Sequence, residues 1–557
     1  MTMRPYSQVA RLLAPALLAL LLAACGGGGG GGGSTDLIAG GTTTPVPTPA
    51  PQEAFVVDCI GAFCGADNPN RYTGRDVGLW RYRNVGTGPA EIQIRIDNVS
   101  SKTATLVYSN ESTSDITLPT VTLDNAATQN VIRDAIPTTR ERHTPPQVDE
   151  FNARGFAALL TQTPDTARIR ASRTGEFAVG ATRSWLNQDD NGSVSQRSTT
   201  LRRQLSTTSG RQVNLWLENS EYGSAKVSDA ILDTLAATFA SGSNAIYPLA
   251  TGIAGDPWGS VPPASAAALI GPDQAIDLVI VNQNGNGKPY GVVAYFYSGN
   301  NFVRSSATAS SNEALAIFVD SETLYLDGAS GLTFSKSTLA HELAHMINFY
   351  QRAVLLGGNY ANAVWLEEMT AMMMEDLLST QVTPGYNTIR DDRFPAWLAN
   401  AEYNCPLTVW QTTSTCFGYD VSGSFGGFLL RHYGLGFYQT LLRDKASSDS
   451  VAVLDDAIRR ASGPGLNIAF QRWGTSIALL PAAASPAGFG YPARSDNGFA
   501  LVAISGPDYA SRRRLPTVLP STLSGYGHFP FVRRNLPVTY TERVVIPAHT
   551  TLSVIIQ

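Results

Sequence analysis

The chain has 557 residues, of which 43% are hydrophobic and 15% charged, with a formal net charge of -5. At about 150 residues per domain that length predicts roughly three to four folded units with ample core material, which excludes whole-chain disorder. Charged residues fall well below the usual share of about 25% and form no long basic run, so no footprint for a phosphate backbone exists and nucleic acid is excluded as a partner. Five cysteines are too few for a disulfide scaffold, and their odd number needs an explanation.

The chain opens with Arg4 and Arg11, then an apolar run from Leu12 to Ala24 and Cys25. That run is shorter than the twenty or so residues a membrane helix needs, so residues 1–24 read as a signal peptide. Leu22, Ala23, Ala24 and Cys25 resemble a bacterial lipobox, which implies a lipid on Cys25 that anchors the mature protein to a membrane without a spanning segment. Gly26 stands where retention in the inner membrane typically needs Asp, so the expectation is an outer-membrane lipoprotein or a cell-surface location. The glycine run Gly26–Gly33 and the Thr/Pro stretch after it make residues 25–52 a tether. Setting Cys25 aside leaves Cys59, Cys64, Cys405 and Cys416, an even set for an oxidising compartment, with local pairing (Cys59 to Cys64, Cys405 to Cys416) the favoured of three connectivities.

From residue 53 to 140 the pattern has period two (Ile92, Ile94, Ile96; Thr105, Val107; Ile116, Leu118) between turn residues, predicting a β-sandwich-like N-terminal module. Strands are predicted at Val213–Leu217, Ile276–Val281 and Ala314–Val319, with a helix near Ala225–Phe239. Two long helices follow at 336–352 and 359–379, then a mostly helical stretch at 395–480. Strand patterns return at Val544–Ile546 and Leu552–Ile556, predicting a second β module over 495–557. Asn187, Asp189, Asn191 and Gly192 loosely resemble a calcium loop, but Ser198 at its last position lacks the carboxylate, so a hairpin turn is favoured.

His341, Glu342, Leu343, Ala344 and His345 form an HExxH motif, which composition alone would produce only ~0.005 times in a chain like this. Leu339, Leu343, Ile347 and Tyr350 trace an apolar helical stripe through it, and Ser335 or Ser337 is placed to cap the start. Histidines four apart share one helix face, so both rings reach one metal ion, while Glu342 lies beside it to handle protons. A catalytic zinc needs a third protein ligand. The next helix, with Glu367, Glu368, Glu375 and Asp376 among Met369, Met372, Met373 and Met374, is apolar on nearly every face, so its carboxylates need partners. Core filling is the favoured role of the methionines, and Glu375 is equally a partner behind the ligands or an exposed surface acid.

The strings LAHELAHMINF and WLEEMTAMMMEDL resemble the hyicolysin family of secreted zinc metallopeptidases, within the thermolysin-like gluzincins. The resemblance covers residues 335–435, with weaker likeness back to about 210. It implies an α+β gluzincin-type catalytic domain over 141–485, with a mixed-sheet subdomain and a helical subdomain, flanked by the two β modules. It also implies one zinc ion on His341, His345 and Glu368, with Glu342 as general base. Relatives tend to carry Asn where this chain has Glu367, which leaves two adjacent carboxylates as candidate ligands. Tyr419 is the candidate donor to the oxyanion, with His432 as second choice. The function implied is endopeptidase action on proteins or peptides. The alternative is a surface binding lipoprotein whose zinc site is structural or degenerate.

Overall fold

Strands from the two ends of the chain pair with each other. In the computed structural model, which describes residues 55–123, 144–162, 176–479, 485–504 and 507–557, a five-stranded sheet runs in the order Val56–Val57, Gly78–Asn84, Thr550–Ile556, Ala104–Asn110, His528–Arg533. A four-stranded sheet, Thr539–Ile546, Ala90–Asp97, Arg71–Tyr72, Ala66–Asn68, faces it. The two expected β modules are therefore one sandwich. Period-two alternation tells which face of a strand is buried but not which strand it pairs with. Trp80, Tyr82, Ile94, Ile96, Leu106, Phe529, Val544 and Leu552 fill the interior. On its other face the larger sheet contributes Leu79, Val107 and Ile555 to the main core, and Gln471 donates to Ser553 Oγ at 2.6 Å, so the sandwich is fused to the body. The signal segment, Cys25 and the tether lie outside the described residues. Among the described residues no helix is long and apolar enough to cross a membrane.

A six-stranded mixed sheet builds the upstream half of the body, in the order Ala294–Phe296, Leu315–Asp320, Ile276–Val281, Gln212–Glu218, Val194–Ser206, Thr182–Gln188. Gln212–Glu218, Ile276–Val281 and Leu315–Asp320 run parallel. The latter two are buried throughout, which explains their largely apolar sequences, and the one interior acid, Asp277, accepts from Asn214 and Trp216. The short strand Ala294–Phe296 lies at the open edge, antiparallel to Leu315–Asp320. At the far edge the expected hairpin forms. Asp189 accepts hydrogen bonds from Asn187, Ser193 and Ser195, and Gly192 takes φ 85° in the turn.

Helices make up the downstream half. Gly328–Asn348 carries the HExxH motif and continues through a π-helical turn, Phe349–Val354. It starts well before the expected caps. Ser335 lies inside it, donating to Gly331 O, and Ser337 donates to Glu375 instead. Two glycines in the first turn hid this start, because glycine disfavours helix. Gly331 is required there: a Cβ would lie 2.0 Å from Thr323 O of the preceding helix. The acidic helix Val364–Val382 packs between the HExxH helix and the long helix Gly418–Arg443. Its four methionines are fully buried, as core filling requires. Gly423 and Gly426 let the long helix approach, since a Cβ at Gly423 would lie 2.7 Å from Met372 Sδ. Both expected disulfides are present, Cys59–Cys64 and Cys405–Cys416.

One ion pair fixes the acidic helix. Arg431 Nη1 lies 2.6 Å from Asp376 Oδ2, with both side chains fully buried, and Asn387 donates to the same carboxylate. Arg431→Ala strands a buried charge, and its unfolding free energy by chemical denaturation is expected to fall by about 3 kcal/mol.

Candidate active site

The HExxH helix and the acidic helix bring His341, His345 and Glu368 together, with ligand atoms all within 4.8 Å of one another. His341 Nε2 lies 3.0 Å from Glu368 Oε2 and 3.0 Å from His345 Nε2. His345 Nε2 is 3.5 Å from Glu368 Oε1. All three residues are buried.

The outer ring nitrogens are already committed. His341 Nδ1 pairs with Glu375 Oε1 at 2.8 Å, and Glu375 Oε2 accepts from Ser337 and Thr388 hydroxyls. His345 Nδ1 pairs with Glu367 Oε1 at 3.1 Å, while Asn348 and Asn362 hold that carboxylate. Each ring thus donates its Nδ1 proton outward, which in a neutral imidazole leaves a bare lone pair on Nε2. In that tautomer two such lone pairs and a carboxylate converge in a buried pocket. That arrangement repels itself unless a cation or added protons fill it, so the donor set fits a divalent metal.

The electrostatics agree. Burial opposes charge on His341, yet hydrogen bonds to Glu368 and Glu375 raise its pKa to about 9. Burial also opposes ionisation of Glu368, but the charges of His345 and His341 and their hydrogen bonds pull it down to about 2. Glu368 and Glu375 on one side and the two rings on the other stabilise each other's charged forms.

Glu342 points away from the acidic helix, toward the sheet. Its Oε2 accepts from the backbone N of Phe296 on the edge strand at 2.7 Å, and its Oε1 has no partner. Burial pushes its pKa up to about 7. A carboxylate with that value, one oxygen tethered and one free, is poised to accept a proton near neutral pH.

Tyr419 lies in the first turn of the long helix, its ring 6.3 Å from that of His341. Burial, then the charges of Glu368 and Asp149, hold its phenol well above the ordinary range, so it remains a donor. His432 is elsewhere. Its Nε2 meets Gly490 O at 2.9 Å and its ring packs on Phe428, which removes it as the alternative oxyanion donor.

The peptidase M30 profile, that of the hyicolysin family, matches residues 193–557. The chain belongs to this family. Residues 58–123 match a domain of unknown function, DUF8571. No curated protein matches the chain. An M30 enzyme is a metallopeptidase, acting on protein or peptide substrates. The match takes in the C-terminal strands, which the motif resemblance had left outside, consistent with their place in the shared sandwich.

Sequence reasoning missed the acceptor role of Glu367, the tether between Phe296 and Glu342, and two upstream residues at the site, Asp149 and Asn152. Only adjacency to a motif signalled Glu367, and nothing in the sequence marked the others. In this peptidase Glu375→Ala is expected to weaken metal binding about 10–100-fold, by freeing the ring of His341. Competition against a chromogenic chelator measures that change.

Proposed function

We propose that this M30 peptidase is a zinc-dependent endopeptidase, lipid-anchored through Cys25 at the outer membrane or cell surface. The observation that carries the catalytic part is the buried convergence of His341 Nε2, His345 Nε2 and Glu368, with each ring backed at Nδ1 by a further carboxylate. His341, His345 and Glu368 would hold the ion. Zinc supplies Lewis acidity that lowers a water's pKa toward about 7 and polarises the scissile carbonyl.

Glu342 takes the attacking water's proton on its free Oε1 and passes it to the departing amine, so the same carboxyl serves as base and then acid. The Phe296 N–H keeps the carboxyl oriented through both steps. Tyr419 donates its phenol proton to the charge that develops on the carbonyl oxygen. Glu367 and Glu375 would hold the two imidazoles in the tautomer that carries its proton on Nδ1 and turns Nε2 toward the ion. The anchoring rests on the lipobox-like run ending at Cys25 and on the tether that follows it.

Metal analysis of the purified chain, with casein hydrolysis measured before and after a zinc chelator, tests this reading. One zinc per chain and chelator-sensitive hydrolysis are expected. Stoichiometric zinc without hydrolysis would favour the binding-protein alternative. Because burial raises Glu342 to about 7, and only its ionised form is a base, kcat/KM is expected to be high above that pH. It should fall tenfold per pH unit below it. Zinc content measured at the same pH values separates loss of the base from loss of the metal.

A further inference from the structure

Residues 144–162 lie between the two family matches and belong to neither sheet. They form a short helix, Pro146–Glu150, a π turn, Phe151–Gly155, and a final 3-10 turn, Leu159–Thr161. This segment sits against the edge strand beside Glu342. The Asn152 side chain donates to Phe296 O at 2.7 Å, and its Oδ1 accepts from Ser298 N at 2.9 Å and Ser298 Oγ at 2.7 Å. A carboxamide giving N–H and taking N–H along an open strand edge repeats the contacts of one peptide group of an added strand. Asp149, one turn earlier, lines a pocket together with His345, Glu367 and Glu368.

Docking is by side chains of stated fit. Phe151 packs on Tyr297 with ring centres 4.9 Å apart, Phe156 meets Phe349 edge-on at 5.1 Å, and Gln147 donates to Asp189 O at 2.7 Å. Val148 and Phe156 are fully buried. The segment's own backbone bonds locally, Val148 N to Pro145 O and Asp149 N to Pro145 O. It therefore presents a side-chain amide to the cleft rather than an extended peptide bond.

We infer that residues 144–162 are an internal plug that occupies the substrate's place on the edge strand Ala294–Phe296, holding the peptidase latent until it is displaced. This rests on the peptidase reading of the His341, His345 and Glu368 group. The plug is internal by necessity, because the strands before it share sheets with Thr550–Ile556 and Thr539–Ile546 and stay with the body when the chain is cut around it. A plug closed 99 parts in 100 cuts apparent substrate affinity ~100-fold.

The test is to install recognition sites for a sequence-specific protease within 124–143 and 163–175 of the full chain, cut both, and separate the fragment. Hydrolysis of a short fluorogenic peptide is expected to rise at least about tenfold. A fluorescent synthetic peptide of residues 144–162 should rebind the cut chain by anisotropy and be displaced by casein-derived peptides. Its Asn152→Ala version should bind about tenfold more weakly. The uncut Asn152→Ala, Phe156→Ala chain should show raised activity without any cut, which covers a fragment that fails to leave. Measurable hydrolysis unchanged by release and by the double variant overturns the plug, as does a labelled peptide that does not rebind. If no form hydrolyses anything but the peptide rebinds and is displaced, the peptidase reading fails and occupancy of the edge strand stands.

Discussion

Glu342→Gln is expected to retain its zinc and lose about a thousandfold in kcat/KM, within the range a positioned general base supplies. Glutamine has the same shape, and its carbonyl oxygen still accepts the Phe296 N–H that now holds Oε2 at 2.7 Å. What it lacks is basicity at the free atom. His341 and His345 keep their outer carboxylate partners, so metal analysis should match the parent chain. A fully active variant would remove Glu342 from the mechanism, and a variant that loses zinc would show that the residue holds the site together instead.

The second large effect separates two neighbouring acids. Glu368→Ala removes the carboxylate that faces both Nε2 atoms, at 3.0 and 3.5 Å, and is expected to abolish both stoichiometric zinc and hydrolysis. Glu367→Ala removes only the acceptor behind His345, and is expected to weaken zinc about 10–100-fold while activity returns with added metal. Titrating zinc into each chelator-treated variant and following casein hydrolysis distinguishes them. Equal behaviour of the two would refute the assignment of Glu368 to the ion.

The motif positions were legible because helical geometry is local: an HExxH run can only place its histidines on one face. Choosing Glu368 over Glu367 from residues alone was harder, because neighbours on a helix point about 100° apart and the rotation of that helix is set by packing. Here Gly423 and Gly426 of the long helix, pressed onto Met372 and Met369, help set it. The central strands were readable as largely apolar runs, and the disulfides from short spacing. The sandwich was read as two pieces because its pairings join residues such as Trp80 and Val554, which no local pattern connects. Asp149 and Asn152 were invisible for a related reason: one carboxylate and one amide on a short polar helix carry no signature until the chain folds back over the site.

The strand Thr550–Ile556 lies between Gly78–Asn84 and Ala104–Asn110 and pairs with both. Its two partners stand hundreds of positions earlier in the chain and wait for it before their sheet is complete, and pairings of such long separation form slowly. Synthesis at about 5–20 residues per second leaves those strands unpaired for tens of seconds. Loss of Thr550–Ile556 would strip the centre of that sheet rather than trim its edge, so maturation of the whole molecule depends on this strand.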